Sequence, residues 1–135
     1  MTAGNCEEVN AQATVHLYEY AVIRLVPLVE REEFVNVGVI MMCKRRKWLR
    51  VELRPDLQRI AALAPDVDVT APLAQLEVFN LVVKGVGAFG DMPVEERFRF
   101  LTAEKSTCVQ TSRPHPGLSA DLDATFAALS ATYLP

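Results

Sequence analysis

A chain of 135 residues can bury one core without disulfides or a structural metal, because a domain of this size hides roughly two-thirds of the surface its unfolded chain exposes. Apolar residues make up 50% and charged residues 23%, with a formal net charge of −3, which excludes a disordered composition and argues against general affinity for nucleic acid or acidic membranes. Cys6, Cys43 and Cys108 are odd in number and form no C-x-x-C pair, so neither a disulfide framework nor a zinc knuckle is suggested, and a reducing cytoplasm is the expected home.

Residues 1–12 lack the basic start and apolar run of a signal peptide and carry Glu7 and Glu8 instead. Residues 1–14 are small and polar and are expected to form a flexible tail, leaving 15–135 as a single domain. No apolar stretch approaches the ~20 residues of a membrane-spanning helix, so a soluble protein is expected.

Strand signals dominate residues 16–54. Leu17, Tyr18, Tyr20, Val22, Ile23 and Leu25 supply the β-branched and aromatic content of a buried strand, and Pro27 ends it for want of an amide hydrogen. A second strand is expected from Phe34 to Met42 and a third from Trp48 to Arg54, joined by a turn over Lys44–Lys47. Placing Arg24 opposite Asn36 pairs Leu25 with Val35, Ile23 with Val37 and Ala21 with Val39, so the odd-numbered residues share a buried face. Leu49, Val51 and Leu53 join that face if the second turn has an odd number of residues. The opposite face then carries Tyr18, Tyr20, Val22, Arg24, Phe34, Asn36, Gly38, Ile40, Met42, Trp48, Arg50, Glu52 and Arg54.

Helices follow. Pro55 and Asp56 open one that Pro65 stops. Thr70 is the expected cap of a second, whose Leu73, Leu76, Phe79, Leu81 and Val83 predict the most buried helix, packed on the odd-numbered face. Asp91 and Pro93 introduce a third, with Val94, Phe98 and Leu101 on one side. A strand near 106–112 and a rigid turn over Ser112–Gly117 lead to a last helix, capped by Ser119, with Leu122, Phe126, Leu129 and Tyr133 in a stripe. The pattern predicts an α+β fold: a small, mostly antiparallel sheet, formed by a three-strand meander over 16–54 plus the strand near 106–112, with about four helices packed mainly on one face and the other face partly open.

Four segments carry a resemblance: Tyr18-Glu19-Tyr20-Ala21-Val22-Ile23-Arg24-Leu25-Val26-Pro27, Glu33-Phe34-Val35-Asn36-Val37-Gly38-Val39, Phe98-Arg99-Phe100-Leu101-Thr102-Ala103 and His115-Pro116-Gly117-Leu118. From Tyr18 onwards the chain resembles a bacterial family known mainly as a domain of unknown function, with phenylalanine at position 100 where the family usually has tryptophan. The resemblance implies no catalytic residues and no cofactor. Family members are often encoded beside kinases resembling the HipA toxin class, which implies a protein partner and makes such a kinase its first candidate.

Arg24 offers five donors in a rigid fork suited to a carboxylate or phosphate, and Asn36 and Gly38 beside it would complete a shallow polar site. The structural alternative pairs Arg24 with Glu33 or Glu52 and makes Asn36-Val37-Gly38 a β-bulge. Tyr18, Tyr20 and Trp48 add aromatic surface to the same face, and Arg113 lies in the rigid turn. His115 is the one weak catalytic candidate; no nucleophile stands beside it in sequence, and no second ligand stands at metal spacing. The basic turn Lys44-Arg45-Arg46-Lys47 reads as a solvated hairpin tip before it reads as a phosphate tracker. Gly85-Val86-Gly87-Ala88-Phe89-Gly90 spells G-x-G-x-x-G but follows a helix, so it reads as a helix stop and loop. The leading reading is a non-catalytic cytoplasmic binding or regulatory subunit for a protein partner. Its rival is a small hydrolase acting on a phosphorylated or nucleotide substrate through Arg24 and His115.

Overall fold

The computed structural model describes residues 15–105 and 107–135, so the expected tail over 1–14 lies outside the described residues. Its centre is strand β1 (His16–Leu25), which has partners along both edges. On one side β2 (Val35–Cys43) runs antiparallel to it, with β3 (Trp48–Leu53) beyond. On the other side two short strands share the edge, β4 (Val109–Thr111) against Ile23–Leu25 and β5 (His115–Ser119) against His16–Tyr20. The α+β class holds. The strand expected over 106–112 is confined to Val109–Thr111, and the segment read as a rigid turn supplies β5. Pro116 is tolerated there because an edge strand leaves half its amides unpaired. Between the two short strands Ser112 carries the ladder on: its amide donates to the Val22 carbonyl at 2.8 Å and its hydroxyl accepts from the Val22 amide at 2.9 Å.

The register of β1 on β2 starts as expected and then slips. Arg24 faces Asn36 and Leu25 faces Val35, but Ile23 lies opposite Gly38 and Ala21 opposite Ile40. Val37 is thus an extra residue in β2, and the expected pairs Ile23–Val37 and Ala21–Val39 are corrected by one position. Gly38 stands where the slip is tightest. A Cβ there would lie 2.8 Å from the Glu52 carbonyl oxygen, 2.8 Å from Leu53 Cδ2 and 3.0 Å from Ile23 Cδ1.

Because side chains alternate, the bulge exchanges the faces of everything beyond it. Ile40 and Met42 pack with Ala21, Ile23 and Leu25, while Met41 and Cys43 join Tyr18, Tyr20 and Trp48, the reverse of the sequence expectation. The hairpin into β3 contains Lys44–Lys47, an even number, and Leu49, Val51 and Leu53 still reach the inner face because the parity has already changed.

Among the described residues four helices cover that inner face. Helix α1 (Leu57–Leu63) starts where the Asp56 carboxylate accepts from the Gln58 and Arg59 amides, and it buries Ile60. Helices α2 (Thr70–Gln75) and α3 (Glu77–Lys84) meet at Leu76 and contribute Leu76, Phe79 and Val82 to the core. The expected cap by Thr70 is corrected: Thr70 is the first helical residue, and its amide donates to the Asp68 carboxylate at 3.0 Å. This segment buries Pro72, Leu76, Phe79 and Val82, but the expected burial of Leu81 is corrected, because Val78 and Leu81 face outward. By length and composition the run Thr70–Asp91 could cross a membrane, but Leu76, Phe79 and Val82 pack on the sheet cluster and the left-handed Gly85 and Gly87 break the run. Helix α4 (Val94–Thr102) follows Pro93 without a side-chain cap from Asp91 and buries Phe98 and Leu101.

Among the described residues helix α5 (Leu122–Tyr133) is the helix that lies on the outer face. Asp121 caps it, its carboxylate accepting from the Ala124 amide, while Ser119 accepts from the Asp121 amide. The predicted stripe is real: Leu122, Phe126 and Leu129 pack on Met41, Cys43, Tyr18, Tyr20 and Trp48. The expectation of helices mainly on one face, with the other partly open, holds, and α5 covers part of that second face.

Candidate binding site

The outer face divides at Asn36. On one side α5 occupies the sheet. Trp48 meets Phe126 edge-on with ring centroids 5.8 Å apart, and Arg50 reaches Asp123 at 2.6 Å. The Tyr20 and Tyr133 hydroxyls lie 2.9 Å apart, and the Asn36 amide donates to the Tyr133 carbonyl. Beyond the helix end, Arg54 donates to the Pro135 carbonyl at 2.9 Å. Tyr20, Asn36 and Trp48, which the sequence offers as ligand contacts, hold the last helix.

Tyr18 is turned toward β5. It pairs with Gly117, where a Cβ would come within 2.4 Å of the tyrosine ring, so only glycine leaves room for the ring to lie across the strand. Gly38 is buried against Leu53 and Ile23 on the inner face, away from Arg24 on the outer one. Arg113 is exposed in the link between β4 and β5. The basic tip over Lys44–Lys47 is exposed, with Lys44 3.9 Å from Glu95.

His115 pairs with Tyr20 and lies against its ring, with centroids 5.3 Å apart and planes tilted by 38°. Tyr20 is four positions along β1 from Arg24, a span of roughly 13 Å on a strand. The two residues that a hydrolase would need together are therefore held apart. Among the described residues no group of three metal-ligating side chains converges.

Past the end of α5 the outer face stays open, and there Arg24 and Phe34 come together. The guanidinium carbon of Arg24 sits 4.2 Å from the centre of the Phe34 ring, and Phe34 itself is 45% exposed. With Val26, Val29, Glu32, Lys105 and Gln110 they line a cleft of about 340 Å³. Of the candidate contacts, Arg24 alone lies in this opening; Phe34 and Lys105 are additions that sequence reasoning missed. Phe34 was legible as a face-sharing neighbour of Arg24. Lys105 had no sequence signal tying it to β1.

The glycine run ends α3 and shapes a turn, with Gly85 at a φ of 74°. Arg97 closes it by donating to the Met92 carbonyl at 2.9 Å and the Val83 carbonyl at 3.1 Å. On the inner side, Glu19 of β1 receives a two-pronged ion pair from Arg99 of α4, at 3.0 and 2.8 Å. That hydrogen bonding raises the Arg99 pKa. Three of the four segments singled out in the sequence thus meet at one place: Tyr18-Glu19-Tyr20 receives Arg99 from above and His115-Pro116-Gly117 along its edge.

A family model described as Protein of unknown function (DUF3037) matches residues 20–134. The chain belongs to that family. No curated protein and no solved structure matches it. The match spans β1 from Tyr20 to the end of α5, so in this DUF3037 chain the helix that closes the outer face is part of the family unit.

Closure of that face has a titration signature. The hydrogen bond to Tyr133 and partial burial push the Tyr20 hydroxyl up to about 12. A raised value in the folded state means that the contact stabilises the fold below pH ~10, the ordinary tyrosine range, and that this contribution disappears as the pH rises toward 12. Ultraviolet titration of the three tyrosines should show one ionising near 12, and Tyr133→Phe should bring it back toward the ordinary range. Identical titration curves for the two proteins would contradict the contact.

Proposed function

We propose that this protein is a non-catalytic binding or regulatory subunit that meets a protein partner through the open end of its outer face. The observation that supports the reading is the Arg24–Phe34 pair, an arginine laid on an exposed aromatic ring beyond the last helix. Arginine and large aromatics are the residue types that dominate interface energetics, and here Arg24 stands on strand β1 with Phe34 immediately before β2. A partner docked there would bury both without disturbing α5. The cytoplasm is the compartment proposed for it, and a HipA-like kinase encoded nearby is the first partner to test.

The test is co-expression of the full chain with the product of an adjacent gene, followed by size-exclusion chromatography with light scattering. A stoichiometric complex that Phe34→Ala weakens is the expected result. Repeated recovery of the chain by itself, at the mass of one copy, would overturn the reading.

A further inference from the structure

Among the described residues Arg45, Arg46 and Arg113 are exposed to water, and the remaining arginines, with one exception, have partners in the fold. Arg31, Arg50, Arg54, Arg59 and Arg99 each have a carboxylate, and Arg97, which is equally sunk, donates to two carbonyl groups. Arg24 is the exception. It is half-buried in the sheet, its Nε is shielded from solvent without an acceptor, and its guanidinium makes no ion pair or hydrogen bond among the described residues. Stripping water from a guanidinium without giving its donors an acceptor is unfavourable, and the stacked Phe34 ring offsets only part of that loss.

The cleft around Arg24 defines what acceptor would fit. A second cation, Lys105, lines it, and one anion, Glu32, stands at its side, leaving a net positive charge in a chain whose net charge is −3. Val26, Val29 and Phe34 supply the apolar part of the remaining wall, and Gln110 adds a polar side chain to it. At about 340 Å³ the cleft is at the small end of ligand sites, room for one side chain with its neighbour. A doubly charged phosphate would meet Glu32 and find no glycine among the residues that line the cleft. A single carboxylate on an apolar arm meets two cations at its head and three apolar side chains along its stem.

We infer that the Arg24–Lys105 cleft binds a carboxylate side chain of the partner protein, a glutamate or aspartate followed by an apolar residue, as the anchor of the interface. This deepens the proposed partner-binding role and rests on it. The guanidinium fork and the Lys105 ammonium take the carboxylate, and the apolar neighbour covers the exposed part of Phe34.

The experiment is a heteronuclear NMR titration of the full chain with acetyl-Glu-Leu-amide, acetyl-Gln-Leu-amide, hexanoate and inorganic phosphate. The glutamyl peptide should shift the resonances of Arg24, Phe34 and Lys105, and the neutral glutaminyl peptide should bind about ten-fold or more weakly. Arg24→Gln should remove the response. Lys105→Gln, at an exposed position, should weaken it several-fold and keeps the test alive if Arg24→Gln fails to fold. Equal binding of both peptides, or no shifts with the glutamyl peptide, would overturn the inference; stronger binding of hexanoate or phosphate would reassign the cleft to a free anion and overturn the partner source. If a partner complex forms and survives Arg24→Gln unchanged, the partner-binding role stands and this anchor falls.

Discussion

Phe98→Ala should destabilise the fold by about 3–5 kcal/mol, a large share of the 5–15 kcal/mol that holds a typical domain together. Phe98 is wholly buried in the inner cluster with Ile40, Met42, Phe79 and Val82. The size of the loss depends on whether the surroundings can collapse into the space left behind. Here they are pinned: Arg99, the next residue, is tied to Glu19 on β1, and Arg97 is tied to the Val83 carbonyl at the end of α3. Helix α4 cannot slide inward without breaking one of these ties. Urea denaturation should show a lower midpoint at an unchanged slope. A loss under about 1 kcal/mol, the range of surface substitutions, would mean that the inner layer is not packed as described.

The second large effect concerns Gly38. Alanine there should destabilise by about 1–3 kcal/mol, because the new Cβ would meet the Glu52 carbonyl, which is backbone and cannot rotate away. The sign of the effect discriminates between registers. In an unbulged ladder Gly38 would point to the outer face, and alanine would be neutral or favourable, since glycine is a poor strand residue. In the bulged ladder it points between Leu53 and Ile23, and alanine is overpacked. A stable Gly38→Ala protein would therefore contradict the register slip and, with it, the face assignment of every residue from Gly38 to Cys43.

Much of this fold was legible because local patterns coincide with tertiary ones. The alternation in β1, the Asp56 cap and the stripe along α5 follow from spacing alone, and so did the facing of Arg24 and Asn36. The slip at Val37 was not decidable from spacing. A glycine in a strand permits a bulge without compelling one, and the outcome here depends on how closely Ile23 and Leu53 approach Gly38. Strand β5 was missed because proline and glycine are turn residues by propensity. At an edge, with Tyr18 lying over Gly117, the same residues are compatible with a strand. The α3 segment misled in the other direction: Val78 and Leu81 are apolar yet exposed, and periodicity cannot tell an apolar outer side from a buried one.

The candidate site was half legible. Arginine and aromatic content on one strand face pointed to a surface, and the even-numbered face was the right place to look for Arg24 and Phe34. What sequence could not supply was the occupant of the rest. The stripe of Leu122, Phe126, Leu129 and Tyr133 would serve as well on either side of the sheet, and only packing decides that it covers Tyr20 and Trp48. The working surface shrinks accordingly, from a whole sheet face to the end that α5 leaves bare.

That closure is the claim on which the site rests, and one measurement addresses it: nuclear Overhauser contacts of the Trp48 indole in the full chain. Cross-peaks between the Trp48 and Phe126 rings, and between the Tyr20 and Tyr133 rings, with none from α5 to Phe34, are the predicted result. A Trp48 ring that shows no contact with α5 would contradict it and return the whole outer face to solvent.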